Sequence, residues 1–118
     1  MIGNIYHNAN SAAGNAKLRE IVANYEMARI PVVKVHYANH GAWAQFENGD
    51  IWRVLGANDR PRGYRCNVAY IERSISFDTY RTVICPAMIN HPYSAIHLWG
   101  EGNLYIMEDF SMPFLKGD

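Results

Sequence analysis

Glu72 is the residue of this chain whose type and position most directly predict chemistry. It follows a continuous apolar run, residues 68–71, that shows little alternation between apolar and polar positions. Such a run is typical of a strand covered on both faces, as in a parallel sheet. Open α/β sheets bind their ligands beyond the carboxyl ends of these strands, so Glu72 is placed to contact a ligand.

A second candidate site is a basic turn at residues 59–65. Four arginines, Arg53, Arg60, Arg62 and Arg65, lie between residues 51 and 65, against the single acid Asp59. The whole chain has 11 acidic and 11 basic side chains, so no molecule-wide field attracts it to nucleic acid or to an anionic membrane. The cluster therefore predicts either a solvated turn or a local binding surface.

Aromatic side chains are interleaved with this turn, and they allow two interpretations. On a basic sheet face they could stack on nucleic acid bases, whereas in a core or a protein interface they would supply apolar area. The zero net charge favours a core or a protein interface. We therefore predict a surface for a protein partner, with nucleic acid as an alternative, made of Trp43, Trp52, Arg60, Arg62, Tyr64 and Arg65.

The first part of the chain predicts a strand, a loop and a helix. Residues 2–7 form the strand, residues 8–15 form a loop of small residues, and the helix runs from Asn15 or Ala16 to Met27 with Asn15 as its cap. Pro31 prevents the helix from continuing, and residues 33–37 carry the next strand. This order is that of a βαβ unit with a right-handed crossover.

The second part predicts a hairpin, further strands and one short helix. Asn48-Gly49 joins the strands 42–46 and 51–55, in a turn whose two central residues both favour positive φ. Further strands are predicted at 68–71, 95–99 and 104–107, and a helix within 74–84 that Pro86 ends. The prediction is one α/β domain, residues 1–112, with a small, mostly parallel sheet, flanking helices and a hairpin, followed by a tail at 113–118.

Residues 46–73 resemble the ATPase core of the large terminase subunits of tailed phages, which are P-loop ATPases. In that family an Asn-Gly hairpin precedes an Arg-Gly pair and an apolar strand that ends in Asp-Glu. This chain has the same order, with Asn48-Gly49, Arg62-Gly63 and Glu72-Arg73. Residues 95–102, AIHLWGEG, resemble the later strand and glycine turn of the family, and residues 9–16, ANSAAGNA, stand in the place of its phosphate-binding loop.

The resemblance implies a P-loop-like fold that has lost its catalytic residues. Asn15 and Ala16 stand where the family has the phosphate-binding lysine and the magnesium-binding hydroxyl, and Arg73 replaces the glutamate that orients water. We therefore predict no catalytic residue and no resident cofactor. Loop amides and the helix dipole could still hold an anion, such as ATP with magnesium, at Gly14, Asn15, Ala16 and Glu72.

The remaining patterns bound the environment and the chemistry. Cys66 and Cys85 lack metal-type spacing, which is typical of reduced thiols in a cytoplasmic protein, although a disulfide between them stays open. No run approaches the roughly 20 apolar residues of a membrane span, and we predict no metal site. The resemblance to phage terminases implies a non-catalytic phage or prophage protein of the host cytoplasm that binds a partner of a DNA-processing or packaging machine. The alternatives are a nucleotide-dependent packaging or helicase-like module completed by another subunit, and a single-stranded nucleic acid-binding protein.

Overall fold

The chain forms an α/β fold around one six-stranded sheet. A computed structural model describes residues 1–39 and 41–105. The strands are β1 (Ile2–His7), β2 (Val32–His36), β3 (Trp43–Phe46), β4 (Ile51–Gly56), β5 (Val68–Glu72) and β6 (Ala95–Trp99). Helix α1 (Ser11–Met27) follows β1, and an irregular helical segment, residues 77–87, follows β5.

The sheet is mostly parallel, as predicted, with one antiparallel strand. The strand order is β2-β3-β4-β1-β5-β6. Strand β1 pairs in parallel with β4 and β5, and β5 pairs in parallel with β6. Strand β3 is antiparallel to both of its neighbours. The predicted β1-α1-β2 unit exists, but β3 and β4 separate its two strands.

Each face of the sheet packs against one helical element. Leu18, Ile21 and Val22 of α1 lie in one buried cluster with Ile5 and Val54. On the other face, the segment 77–87 supplies further buried side chains. That second cluster contains Tyr6, Ile71, Tyr80, Val83 and Ile84. Successive residues of β1, Ile5 and Tyr6, therefore point into different clusters, which is the period-2 alternation of a strand.

Two helical elements do not cover both faces of six strands. Helix α1 packs on β1 to β4, so its side of β5 and β6 carries the partly exposed rings of Tyr70, His97 and Trp99. On the opposite side, the segment 77–87 clusters with β1 and β5. Over β4 this side is reached by the basic turn, since Arg53 Nη2 donates to Arg65 O, whereas no helical element of the described chain packs over that side of β2 and β3. We call this region the open face, which consists of Lys34, His36, Trp43, Gln45, Ile51 and Arg53.

Strand register assigns these residues to one face. Residues that pair directly across neighbouring strands point to the same side of a sheet. Trp43 pairs with His36 on β2 and with Arg53 on β4, and Arg53 pairs with Asn4 on β1. The intervening pair, Ala44 with Trp52, points to the α1 side, where both side chains are buried.

Helix α1 begins four residues earlier than Asn15, the first residue of the range predicted. Its N-cap is Asn10, whose side-chain oxygen accepts a hydrogen bond from the Ala12 amide at 3.0 Å. The prediction missed this start because Ser11, Ala12 and Ala13 carry no apolar periodicity. The connecting loop therefore consists of residues 8–10 alone.

The hairpin and the second helix also differ from the predictions in detail. Gly49 has φ of 93°, whereas Asn48 is not in the positive-φ region, so the turn is not the two-residue type predicted. Hydrogen bonds from Phe46 N to Asp50 O and from Gly49 N to Phe46 O close a four-residue loop. The segment 77–87 is capped by Ser76 and continues past Pro86, which lies in a terminal 3-10 turn.

The end of the chain was predicted to hold a last strand and a tail. Leu104 is buried beside the segment 77–87, and neither it nor Tyr105 belongs to a strand. The rest of that predicted strand and the tail at 113–118 lie outside the described residues.

Replacing Gly14 by alanine tests how closely α1 packs on the sheet. A Cβ atom at Gly14 would lie 2.6 Å from Val54 Cγ1 and 3.0 Å from His7 Cδ2. Helix propensity alone would make the alanine variant about 1 kcal/mol more stable. We expect the clash to prevail and to lower the free energy of unfolding by about 1–3 kcal/mol, measured by urea denaturation. A variant more stable than the parent protein would contradict the close contact.

Candidate functional site

The carboxyl ends of β1 and β5 form a topological switch point. These neighbouring parallel strands continue in opposite directions, β1 into α1 on one face and β5 towards the segment 77–87 on the other. Such a divergence opens the crevice in which α/β sheets bind ligands. Glu72 lies at the carboxyl end of β5, as its sequence position predicted.

Protein groups occupy the hydrogen-bonding positions of this crevice. The Glu72 carboxylate accepts a hydrogen bond from the backbone amide of Asn8 at 2.8 Å. The Asn8 side chain donates to Ser74 O at 3.1 Å and accepts from Asn58 Nδ2 at 2.6 Å. Glu72 therefore acts as an internal anion that ties the end of β5 to the start of the loop before α1.

The predicted anion-binding residues Gly14, Asn15 and Ala16 lie inside α1, not in a loop. Gly14 packs against Val54, and the Asn15 amide group donates to Ala38 O at 2.8 Å, which ties α1 to the connection after β2. Ala16 is exposed. The structure thus assigns packing contacts to Gly14 and Asn15 and separates all three from the loop at residues 8–10.

The basic turn lies on the sheet side opposite α1, where buried Asn4 holds it. The Asn4 amide nitrogen donates to Tyr64 O at 2.7 Å and to the Tyr6 hydroxyl at 3.0 Å, and its oxygen accepts from Arg53 Nε at 3.1 Å. Arg53 Nη2 donates to Arg65 O at 2.8 Å. Sequence reasoning missed Asn4, although a polar residue within an apolar strand is the signal that marks it.

The charged side chains of this turn point into solvent. Arg60, Arg62 and Arg65 are exposed, and within residues 1–39 and 41–105 none of them forms an ion pair with a carboxylate. Together with the segment 77–87 they line a groove of about 480 Å³. Arg60 adopts the left-handed conformation, with φ of 48°, which is unfavourable for a residue with a side chain.

Tyr64 and Trp43 connect the basic turn to the open face. The Tyr64 ring is 41% exposed and lies 4.9 Å from the Arg53 guanidinium. Trp43 is half-buried, with the Lys34 ammonium 5.7 Å from its ring. A second groove of about 270 Å³ runs between Trp43 and Tyr64 along Arg53. Four of the six residues predicted for the partner surface, Arg60, Arg62, Tyr64 and Arg65, belong to the turn, and Trp43 belongs to the adjoining face.

Trp52 does not belong to this surface, so that part of the prediction is wrong. Its side chain is 4% exposed, and its indole nitrogen donates to the Tyr25 hydroxyl at 2.9 Å. Tyr25 in turn donates to the Asp50 carboxylate at 2.6 Å. Trp52 is on the α1 side because it pairs with Ala44, one residue out of phase with Trp43.

The thiols show no sign of activation. Burial raises the pKa of the Cys66 thiol to about 11, and burial also raises the pKa of Cys85. Both cysteines are free, and Cys66 lies 3.6 Å from the Met88 sulfur. Since the thiolate is the reactive form, neither cysteine has the environment of a nucleophile.

The described part of the chain contains neither a metal-binding cluster nor a membrane-spanning helix. Among residues 1–39 and 41–105, no three His, Cys, Asp or Glu side chains are grouped so as to hold a metal ion. No described helix has the length and apolar character to cross a membrane.

Comparison with known proteins adds no family. The sequence matches no protein-family model, and no curated protein is significantly similar to it. The resemblance to phage terminases therefore stays a prediction, and the function rests on the geometry.

Substitution of Glu72 tests the internal anion. We expect Glu72→Ala to lower the free energy of unfolding by about 1–2 kcal/mol, because the Asn8 amide loses a charged acceptor in a partly buried position. Glu72→Gln keeps an acceptor and should cost less. Glu101→Ala, at an exposed carboxylate, is the control and should leave the urea midpoint unchanged. Equal stability of Glu72→Ala and Glu101→Ala would contradict this function of Glu72.

Proposed function

We propose that this chain is a non-catalytic protein that binds an anionic partner through its basic turn. Its place would be in a DNA-processing or packaging machine of a phage or prophage, as an accessory or an inhibitor in the host cytoplasm. The observation that carries the proposal is the exposure of Arg60, Arg62 and Arg65 beside a groove, without carboxylate partners in the described residues. In a chain of zero net charge, such a concentration of unpaired cations is a local feature that favours an anionic ligand.

The left-handed backbone of Arg60 has the same cause as that of a second arginine. Arg60, with φ of 48°, is the C-cap of a 3-10 turn at Ala57–Asp59, and its amide donates to Ala57 O at 3.2 Å. Arg29, with φ of 61°, follows the C-cap of α1. The left-handed conformation is an ordinary end of a helical turn at both positions, so the two arginines form a matched pair for experiments.

A degenerate P-loop-like fold is part of the proposal. Its support is the mostly parallel sheet, the helix that follows β1, and the acidic residue at the end of β5. The position where such folds bind phosphate is filled differently here, because the Asn8 amide donates to Glu72 and the Ala12 amide donates to Asn10. This arrangement argues against the alternative of a nucleotide-dependent module.

Two arginine-to-glycine variants separate function from stability. Arg60→Gly and Arg29→Gly remove the same charge and relieve the same kind of strain, so each should raise the free energy of unfolding by up to about 1 kcal/mol. Only Arg60→Gly should weaken retention on heparin, measured as the salt concentration of elution. If the two variants elute together, the basic turn is not the binding surface.

Thermal denaturation with ATP and magnesium tests the nucleotide alternative. Because Glu72 and Asn10 already satisfy amides near the start of α1, we expect millimolar ATP with magnesium to leave the melting temperature unchanged. A rise of several degrees that inorganic sulfate does not reproduce would instead support a nucleotide-binding module.

A further inference from the structure

We propose that the anionic partner is a single-stranded nucleic acid, which lies across the open face with its bases stacked on Trp43 and Tyr64. This inference deepens the proposed function and rests on it. It assigns the binding to the sheet surface between β2 and the basic turn.

The first support is the alternation of cations and rings along one line across the strands. Lys34 on β2 is followed by Trp43 on β3, Arg53 on β4 and Tyr64 above β1, and the arginines of the basic turn come next. Neighbouring strands are about 4.8 Å apart, so β2 and β1 are separated by roughly 14 Å. A single strand presents bases and phosphates in the same alternating way, and this length suits two or three stacked bases.

The second support is the charge of this surface. The open face carries Lys34 and Arg53 together with His36, Trp43, Gln45 and Ile51, and none of these six residues is acidic. By contrast, the partly uncovered α1 side of β5 and β6 includes Glu72, and its nearby cation, Lys17, is paired with Glu20 at 2.9 Å. Among residues 1–39 and 41–105, the open face carries no carboxylate on its strands and adjoins arginines that form no ion pair, whereas the uncovered α1 side of β5 and β6 has neither property.

The third support is the accessibility of the two rings. Tyr64 is 41% exposed, and Trp43 lines the groove that leads to it. Base stacking needs an accessible ring and an unpaired base, and it is tolerant of sequence because every base has a π-face. A duplex hides its base faces, and an acidic peptide gains from the arginines but has no aromatic bases to stack. The rings therefore favour a single strand over both.

Binding is tested with the full chain and a fluorescein-labelled oligothymidylate by fluorescence anisotropy. We expect Trp43→Ala and Tyr64→Ala each to weaken binding roughly 5- to 150-fold. Tyr64→Phe should retain the affinity, since it keeps the ring. Tyr93→Ala removes a ring that is 81% exposed elsewhere and should change nothing. If Trp43→Ala fails to fold, Trp43→Phe and Tyr64→Ala replace it. Trp43→Phe keeps a ring and should bind with near-normal affinity, whereas Tyr64→Ala should still weaken binding.

The charge contribution is measured by salt dependence. Arg62→Ala should weaken binding and reduce the slope of log K against log salt by about 0.7. Arg19→Ala, at an exposed position of α1 away from this surface, should leave the slope unchanged. A labelled duplex and a labelled polyglutamate of equal length are the competing ligands, and both should bind more weakly than the single strand.

The outcomes distinguish this inference from the proposed function. Oligothymidylate that does not bind, or that binds unchanged in Trp43→Ala and Tyr64→Ala, overturns the single-strand inference. So does polyglutamate or duplex binding that is tighter than single-strand binding. In each of these cases the proposed function stands if Arg60→Gly still elutes from heparin before Arg29→Gly, and it fails with the inference if the two elute together.

Discussion

In the part of the chain that the structure describes, α1 and the segment 77–87 are the helical elements that cover the six-stranded sheet, and the rest of the fold depends on how far they reach. Helix α1 packs over β1 to β4 on one face, and the segment 77–87 clusters with β1 and β5 on the other. The central strands gain two buried faces, which makes Ile5, Tyr6 and Ile71 fully or almost fully buried. In the described chain no helical element covers the side of β2 and β3 that faces away from α1, and there Lys34 and Trp43 lie beside Arg53 and the basic turn. The binding that we propose for this side would use a surface left open by the same small number of helices.

Two polar residues of the sheet, Glu72 and Asn4, fix different parts of the structure through their hydrogen bonds. Glu72 uses its carboxylate to hold the crevice between β1 and β5, where a ligand would otherwise find free amides. Asn4 donates hydrogen bonds to the Tyr6 hydroxyl and to Tyr64 O and accepts one from Arg53, and these bonds fix the basic turn to the sheet. The Glu72 contact occupies a backbone amide at the switch point, and the Asn4 contacts hold the basic turn beside the open face. For this reason we propose binding at the open face and not at the switch point.

The sequence predicted the elements better than their arrangement. A continuous apolar run located β5, shorter apolar-rich segments located β1 and β6, and the hairpin signal located β3 and β4, because these patterns are local. The start of α1 was missed since Asn10 and Asn15 are both good caps and the small residues between them have no periodic apolar face. The faces of Trp43 and Trp52 depend on the pairing of Trp43 with Arg53 and of Ala44 with Trp52, which is a long-range property. Likewise, Asn4 meets Tyr64 across 60 residues of sequence, so no local pattern could show that contact.

The three tryptophans provide the most direct test, because each reports on a different environment. Trp43 is on the open face, Trp52 is in the core, and Trp99 is on the α1 side of β6. Their indole N–H signals can be followed in nitrogen-15 NMR spectra while oligothymidylate is added to the labelled protein. The account predicts that the Trp43 signal shifts in a saturable manner while the Trp52 and Trp99 signals stay in place. A shift confined to Trp99, or an unchanged Trp43 signal in the presence of bound oligonucleotide, would contradict it.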